Sequence, residues 1–204
     1  MRMPSIIKQK LWKKKRPGTI TIVSGLPRSG TSLMMQMLEA GGMEVLTDRI
    51  RKADSDNPRG YYEFEKVKDL DKDSSWLNLS SGKVVKIVSV LLYDLPRDRN
   101  YNIIFMNRNL QEVLASQRKM LHNLQHDEEN QTDEQMANQY KSHLQKLIAW
   151  LDQQNNMNVL YVSYNEIIKN PGKNANEIKS FLAKDLDISA MNRVVDRSLY
   201  RQRK

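Results

Sequence analysis

The sequence has no cysteine among its 204 residues, so it can form neither a disulfide framework nor a metal site with thiolate ligands. It also lacks any apolar run of the roughly 18 to 20 residues that a membrane-spanning helix needs. Its N-terminus, MRMPSIIKQKLWKKKRPG, carries charge but no continuous apolar segment of the kind found in secretory signals. These absences predict a protein without disulfides or a membrane span, and we expect it in the cytoplasm.

A net charge of +9 would suit a nucleic-acid-binding protein, but its distribution along the chain argues against that function. Much of the excess lies in a basic N-terminal arm, residues 1–18, through Lys8, Lys10, Lys13, Lys14, Lys15 and Arg16. The arm is predicted to be solvated, with contact to an anionic surface or nucleic acid as the alternative. Residues 19–204 are only mildly basic and form one domain large enough for a full core. A small polyanionic ligand fits this part better than a duplex.

Short apolar segments alternate with longer segments of helical periodicity after the arm. Strands are predicted at residues 19–23, 43–46, 83–92, 101–108 and 158–164. Helices are predicted after Gly30, over residues 61–73, from Asn109, over 133–154 and over 171–182, with polar loops at 47–60 and 123–132. This alternation predicts an α/β fold of the P-loop-like kind, with a parallel sheet flanked by helices on both faces. Ligands of such sheets bind beyond the carboxyl ends of the strands.

A glycine-bearing loop joins the first predicted strand to the first predicted helix, within TITIVSGLPRSGTSLMMQML (residues 19–38). A helix that follows such a loop directs backbone N–H groups and the positive end of its dipole at one point, which suits a phosphate. The loop nearly matches the Walker A pattern, but Thr31 occupies the lysine position and Arg28 lies inside the loop. The candidate strand ends carry Ser89, Arg108 and Tyr164 rather than the aspartate that would complete a magnesium site. The pattern predicts an anion-binding loop without a metal.

A second pattern begins at the end of the strand at residues 101–108, where Ser116 follows Arg108 by eight positions in RNLQEVLAS. Together with the loop Pro27-Arg28-Ser29-Gly30-Thr31-Ser32, this resembles the sulfotransferases that use 3′-phosphoadenosine 5′-phosphosulfate (PAPS). The arginine in the loop is most similar to the tyrosylprotein and carbohydrate branches. A third segment, VLYVSYNEIIKNP, is similar to a further strand of that family. The resemblance covers residues 19 to about 183.

The resemblance implies a sulfotransferase that moves a sulfuryl group from PAPS to a hydroxyl or amine and releases 3′-phosphoadenosine 5′-phosphate (PAP). No metal is expected, and the acceptor would be a small molecule, a carbohydrate or a peptide. By this resemblance Arg108 and Ser116 bind the 3′-phosphate, and Tyr164 lies near the adenine. The 5′-phosphosulfate would be bound by the loop residues Arg28, Ser29, Gly30, Thr31 and Ser32.

The catalytic base is not identified by the motifs. Cytosolic members of the family use a histidine before the Arg…Ser motif, whereas all three histidines here follow Arg108. A carboxylate is therefore expected, with Glu63 as the first candidate and Asp48 as the second. Lys86 resembles the family lysine that steadies the transferred group, and Arg28 is expected to share that catalytic role.

Other interpretations stay open at this point. The chain could be a divergent P-loop nucleotide kinase or NTPase, a nucleic-acid-binding protein that uses its basic arm, or a binding module without activity. The loop glycines could serve only a tight turn. Ordinary roles on the surface or in a half-buried element also stay open for the remaining candidates, which are Arg108, Ser116, Tyr164, Glu63, Asp48 and Lys86.

Overall fold

The computed structural model describes residues 18–54, 57, 59–123 and 132–199. Five parallel strands form one sheet in the order β2-β3-β1-β4-β5. The strands are β1 (Ile20–Gly25), β2 (Val45–Leu46), β3 (Val84–Lys86), β4 (Tyr101–Asn107) and β5 (Met157–Ser163). The helices are α1 (Thr31–Ala40), α2 (Leu110–Asn123), α3 (Asp133–Gln153), α4 (Tyr164–Lys169), α5 (Pro171–Leu182) and α6 (Ile188–Val194). The predicted α/β fold class is confirmed.

Both faces of the sheet are covered, because side chains of a strand alternate between its two faces. In β4, Ile104 and Met106 pack into a core with residues of α1, α4, α5 and α6. Ile103 and Phe105 of the same strand pack into the opposite core, with residues of α3 and of the segment that follows β2. The central strands are therefore mostly apolar on both faces, as buried parallel strands generally are.

Because all the strands are parallel, their carboxyl ends lie along one edge of the sheet. β1 ends at Gly25, β3 at Lys86, β4 at Asn107 and β5 at Ser163. The loops that leave this edge carry most of the candidate residues. The topology thus explains why residues far apart in the sequence meet at one site.

The helix predicted over residues 61–73 is wrong. Only Glu65–Asp69 forms a helix there, a short 3₁₀ helix. Tyr62 has a left-handed φ of 55°, and Phe64 is extended. Both conformations are incompatible with a helix that begins at residue 61.

The strand predicted over residues 83–92 is too long, since β3 ends at Lys86 and a 3₁₀ helix covers Ser89–Asp94. On the β2 side the pairing already ends at Leu46 with Val85, and on the other side β1 ends at Gly25, level with residue 88, so a strand that continued to residue 92 would have no partner on either side. Tyr164 is the first residue of α4 rather than the last residue of β5. The hydroxyl of Ser163 caps this helix by accepting the N–H of Glu166.

The other predicted helices agree with the structure within a residue or two. The N-terminus of α3 has a capping box, in which Thr132 and Gln135 each bind the backbone N–H of the other residue. No helix within the described ranges is long and apolar enough to cross a membrane. Residues 1–17 of the basic arm lie outside the described part of the chain, so the predicted boundary between the arm and the domain at residue 18 stays a prediction. Most of the loop predicted at 123–132 lies outside it as well.

Candidate active site

The loop between β1 and α1 has a backbone shape that needs glycine at two positions. At Gly25, φ is 151°, and a Cβ would lie 2.5 Å from the Ser29 hydroxyl and 2.6 Å from the Met106 carbonyl oxygen. At Gly30, φ is 100°, and a Cβ would overlap the ring of Tyr164. The glycines therefore allow β4 and α4 to approach the loop, which a simple tight turn would not require.

The loop presents polar groups suited to an anion. Gly30 precedes α1 and gives it no side-chain cap, so backbone N–H groups at its first turn remain available to a ligand. The Ser29 hydroxyl is buried and has no hydrogen-bond partner among the described residues. Arg28 adopts a left-handed φ of 66°, which is uncommon for a residue with a side chain. A strained arginine and an unsatisfied hydroxyl in one loop are typical of a ligand-binding site.

A cavity of about 460 Å³ opens over this loop at the carboxyl edge of the sheet. Its size is within the usual range for a small-molecule site. Its lining includes nine of the candidate residues: Arg28, Gly30, Thr31, Ser32, Glu63, Lys86, Arg108, Ser116 and Tyr164. Ser29 lies buried under the loop, and Asp48 is not part of the lining. Residues from five separate segments thus meet at one cavity.

The two sequence motifs contact each other directly. The Arg28 Nε atom donates a hydrogen bond of 3.0 Å to the hydroxyl of Ser116 on α2. The Arg108 Nη1 atom donates to the carbonyl oxygen of Arg28 over 3.1 Å. The Arg108 guanidinium also lies 4.5 Å from the centre of the Tyr164 ring. Two cations and two hydroxyl-bearing side chains are therefore held together in the wall of the cavity.

Tyr164 has a packing role as well as a place in the cavity wall. Its ring covers Gly30 on one side and is stacked on Arg108. Burial raises the pKa of its hydroxyl, so Tyr164 is neutral at physiological pH. A neutral, mostly apolar ring beside a cation provides a surface on which a planar base can pack.

Lys86 lies under the cavity at the end of β3. Its side chain is only 9% exposed, and its Nζ atom donates to the Tyr61 carbonyl oxygen. Burial lowers its pKa to about 8, although Glu63, with Oε1 3.6 Å from Nζ, acts in the opposite direction. Lys86 is thus mostly protonated at neutral pH and can supply a cation from below the cavity.

Glu63 and Asp48 differ in their placement. Glu63 faces the cavity, where its Oε1 atom lies 3.2 Å from Arg51 Nη1. Asp48 instead accepts the backbone N–H of Ile50 over 3.0 Å and that of Glu65 over 2.5 Å. Asp48 therefore orders the loop before the 3₁₀ helix, and the structure does not bring its carboxylate into the cavity.

Several lining residues carry no motif that marks them in the sequence. Arg51 places its guanidinium carbon 3.5 Å from the centre of the Tyr61 ring. The Tyr61 hydroxyl donates to Asp54, and burial together with this bond raises its pKa to about 12. Lys119 could have been predicted as a lining residue from the sequence, because it follows Ser116 by three positions and therefore lies on the same face of α2. The described histidines, His122 and His143, do not line the cavity.

Asn57 joins the glycine loop to the segment that follows β2. Its amide nitrogen donates to the Ser32 hydroxyl over 3.0 Å, and Ser32 in turn donates to the Tyr61 carbonyl oxygen over 3.4 Å. Ser32 therefore contacts the opposite wall of the cavity rather than only the loop. Within the part of the chain that the structure describes, no group of three His, Asp or Glu side chains could hold a metal ion.

Comparison with known proteins extends these observations. The model of the sulfotransferase domain family matches residues 19–204. The fold is similar to a sulfotransferase domain from the curacin biosynthetic pathway, with a TM-score of 0.56 at 15% identity over 89% of this chain and 79% of that one. No curated protein sequence matches the chain.

Two further solved structures have similar folds. Retinol dehydratase, solved with androsterone and the inactive cofactor PAP, gives a TM-score of 0.52 at 17% identity over 90% of this chain and 65% of that one. The mouse sulfotransferase SULT7A1, solved with PAP, gives a TM-score of 0.53 at 17% identity. The match covers 93% of this chain and 69% of that one. Identities this low establish a shared fold and no more, whereas the family model covers nearly the whole chain. The protein belongs to the sulfotransferase family.

Proposed function

We propose that this protein transfers a sulfuryl group from PAPS to a hydroxyl or amine of an acceptor and releases PAP. The observation that carries the proposal is the contact between the two motifs, in which Arg28 Nε reaches Ser116 Oγ in the wall of one cavity. Members of the family use PAPS, and two proteins of similar fold were solved with PAP. The residues that line the cavity fit such a donor.

The charge of the cavity suits a polyanion. Five cationic side chains line it, against the carboxylates of Glu63 and Asp196: they are Arg28, Arg51, Lys86, Arg108 and Lys119. The described chain outside the arm is only mildly basic, so this excess is concentrated at the cavity. A concentration of one sign of charge in a cleft attracts a ligand of the opposite sign.

Each part of the site has a role toward PAPS. The backbone at the start of α1, together with Thr31, would bind the 5′-phosphosulfate, because these groups line the cavity whereas the buried Ser29 hydroxyl does not. Arg108 and Ser116 would bind the 3′-phosphate, where Arg108 offers a planar set of donors. The Tyr164 ring would pack against the adenine.

The chain's own residues would then act on the transfer. Bound PAPS supplies the sulfuryl group, and PAP is the leaving group when the acceptor oxygen or nitrogen attacks sulfur in line. Glu63 would take the proton from the acceptor nucleophile. Lys86 and Arg28 would stabilise the negative charge that develops on the bridging oxygen as its bond to sulfur breaks. Because a sulfuryl group carries less charge than the γ-phosphate that kinases transfer, fixed cations and backbone amides would be enough for the step.

The acceptor would approach along the segment 47–64, which carries Glu63 and the wall formed by Arg51 and Tyr61. We propose a small molecule, a carbohydrate or a peptide as acceptor. A cytoplasmic location is likewise proposed from the composition. Neither the kinase nor the nucleic-acid alternative is favoured, because Thr31 stands where the Walker lysine would and the cationic excess surrounds a small cavity.

Calorimetric titration with PAP and AMP tests donor binding. The wild-type protein is expected to bind PAP and to bind AMP much more weakly, because AMP lacks the 3′-phosphate. Arg108→Ala should weaken PAP binding by about 2 kcal/mol, roughly 30-fold, through loss of a charge-assisted contact. Arg118→Ala, at an exposed position of the same helix, is the matched control. Undetectable PAP binding, or equal binding of AMP and PAP, would overturn the proposal.

The role of Glu63 is tested by following the conversion of PAPS to PAP with a panel of phenols, sugars and amines. Glu63→Gln should lower kcat by about 10² to 10⁴ while leaving PAP affinity unchanged. Glu65→Gln, two residues away and exposed, serves as the control. A loss of activity in Asp48→Asn with normal activity in Glu63→Gln would assign the base to Asp48 instead.

A further inference from the structure

We propose that Glu112 is a positioning residue, which orients the guanidinium of Arg108 toward the 3′-phosphate of the donor. This inference rests on the proposed function and adds a residue that carries no recognised motif of its own. Glu112 lies on α2 between Arg108 and Ser116, but its side chain is not part of the cavity lining. It would act only through Arg108.

Glu112 is a buried carboxylate, with a side chain only 3% exposed, and the Arg108 side chain beside it is 8% exposed. Removing two charges from water carries a desolvation cost that their attraction often fails to repay. Such a pair is therefore weak evidence for stability. A requirement for a fixed cation at this position gives a reason for burying it.

The carboxylate of Glu112 is held from two directions. Its Oε2 atom accepts from Arg108 Nε over 2.9 Å, and its Oε1 atom accepts from Asn165 Nδ2 over 3.0 Å. Asn165 belongs to α4, so the carboxylate connects two helices. Because both oxygens are engaged by different elements, rotation of the carboxylate is restricted.

This fixed carboxylate sets the plane of the Arg108 guanidinium. The Nε atom is bound to Glu112, the Nη1 atom donates to the Arg28 carbonyl oxygen, and the Tyr164 ring lies against one face. A guanidinium is planar, so fixing two of its nitrogens fixes the directions of all its donors. Arg108 is thus held in one orientation before the donor binds, which lowers the entropic cost of binding.

Electrostatics and positioning predict opposite signs for the loss of the Glu112 charge. A negative charge close to a phosphate site repels the phosphate, so neutralising it should strengthen PAP binding if Coulomb repulsion dominates. If Glu112 positions Arg108, neutralising it should weaken PAP binding instead. The two effects can therefore be told apart by the direction of a single change.

The experiment compares Glu112→Gln with wild type by calorimetric titration of PAP and AMP. We expect PAP to bind about tenfold more weakly, the effect of weakening one charge-assisted hydrogen bond, while AMP binding changes by less than about twofold. Glu177→Gln, an exposed glutamate on α5, is the matched control and should bind both ligands like wild type.

A double-mutant cycle separates positioning from a general loss of structure. In the Arg108→Ala background, Glu112→Gln should cause no further loss of PAP affinity. Asn165→Ala leaves both members of the ion pair in place and should produce a smaller loss with the same ligand pattern. If Glu112→Gln does not fold, Asn165→Ala replaces it in the same titrations with PAP and AMP.

The outcomes are distinct. Unchanged or tighter PAP binding by Glu112→Gln, or an equal loss for PAP and AMP, would overturn the positioning role while the proposed function stands. If the wild-type protein binds no PAP, the proposed function itself fails. A loss that persists fully in the Arg108→Ala background would also overturn the proposal, because Glu112 would then act without Arg108.

Discussion

Replacing Lys86 with methionine is expected to stabilise the protein near neutral pH. The Lys86 side chain is only 9% exposed, and this burial lowers its pKa from 10.5 to about 8. Methionine has a similar unbranched shape without the charge, so it should fill the same space. The variant would trade activity for stability, because the cation proposed to stabilise the leaving oxygen is lost.

The sign of the effect follows from proton linkage. The folded protein releases the Lys86 proton at a lower pH than the unfolded chain, so the unfolded state binds more protons between pH 8 and 10.5 and stability rises with pH there. The destabilisation by the charged lysine is therefore absent above pH 10.5, grows as the pH falls from 10.5 to 8, and is complete below pH 8. At pH 7 the charged lysine therefore costs the fold roughly 3 kcal/mol, at about 1.4 kcal/mol per pKa unit.

The net gain is smaller, because the variant also loses the hydrogen bond from Lys86 to the Tyr61 carbonyl oxygen. With about 1 kcal/mol for that bond, Lys86→Met should be more stable than wild type by about 2 kcal/mol at pH 7. By pH 9.5 the wild-type lysine is neutral in the fold, so the advantage should shrink by roughly 2 kcal/mol and nearly vanish.

Urea denaturation of the ligand-free proteins at the two pH values measures this difference. Lys83→Met is the control, because Lys83 is more exposed and makes a surface ion pair with Glu44. Its effect should be about 1 kcal/mol or less and nearly independent of pH. A Lys86→Met protein that is no more stable than wild type at pH 7, or whose advantage is the same at pH 9.5, would refute the reasoning.

Three further substitutions have defined outcomes. Gly25→Ala should destabilise the fold by about 2 to 4 kcal/mol and abolish PAP binding, because its Cβ would overlap the Met106 carbonyl; a normal melting temperature would contradict this. Gly30→Ala should displace the Tyr164 ring and weaken PAP binding in calorimetry, and unchanged affinity would count against that packing. Thr132→Ala should lower the free energy of unfolding by about 1 kcal/mol through loss of the α3 cap, with PAP affinity unchanged.

Helices were predicted correctly from the sequence where the signals that define their ends are local. Pro171 at the first turn and the apolar spacing to Leu182 predicted α5 with its observed bounds. The apolar spacing also predicted α3 to within one residue, and the structure shows that Thr132 and Gln135 cap its start. Such signals depend on residues within a few positions of one another, so they can be read without the fold.

Sequence reasoning failed where distant contacts decide the conformation. The segment after residue 61 has helical spacing, yet Tyr62 is left-handed and the Tyr61 carbonyl is bound by Lys86 and Ser32 from other elements. An apolar run such as 83–92 does not reveal where its neighbour β1 leaves the sheet. Pairing partners and contacts across the site are properties of the assembled structure.

The fold class could be predicted from the sequence alone, and so could a glycine-bearing loop suited to an anion and the Arg108 to Ser116 spacing that resembles the sulfotransferases. These features are encoded in short motifs and in the alternation of strands and helices. Only the tertiary structure placed Glu63 in the cavity and left Asp48 out of it, and only it joined Glu112 to Arg108 and Asn165. The physical reason is that burial, pKa and hydrogen-bond direction depend on which elements pack together, and no local pattern records that.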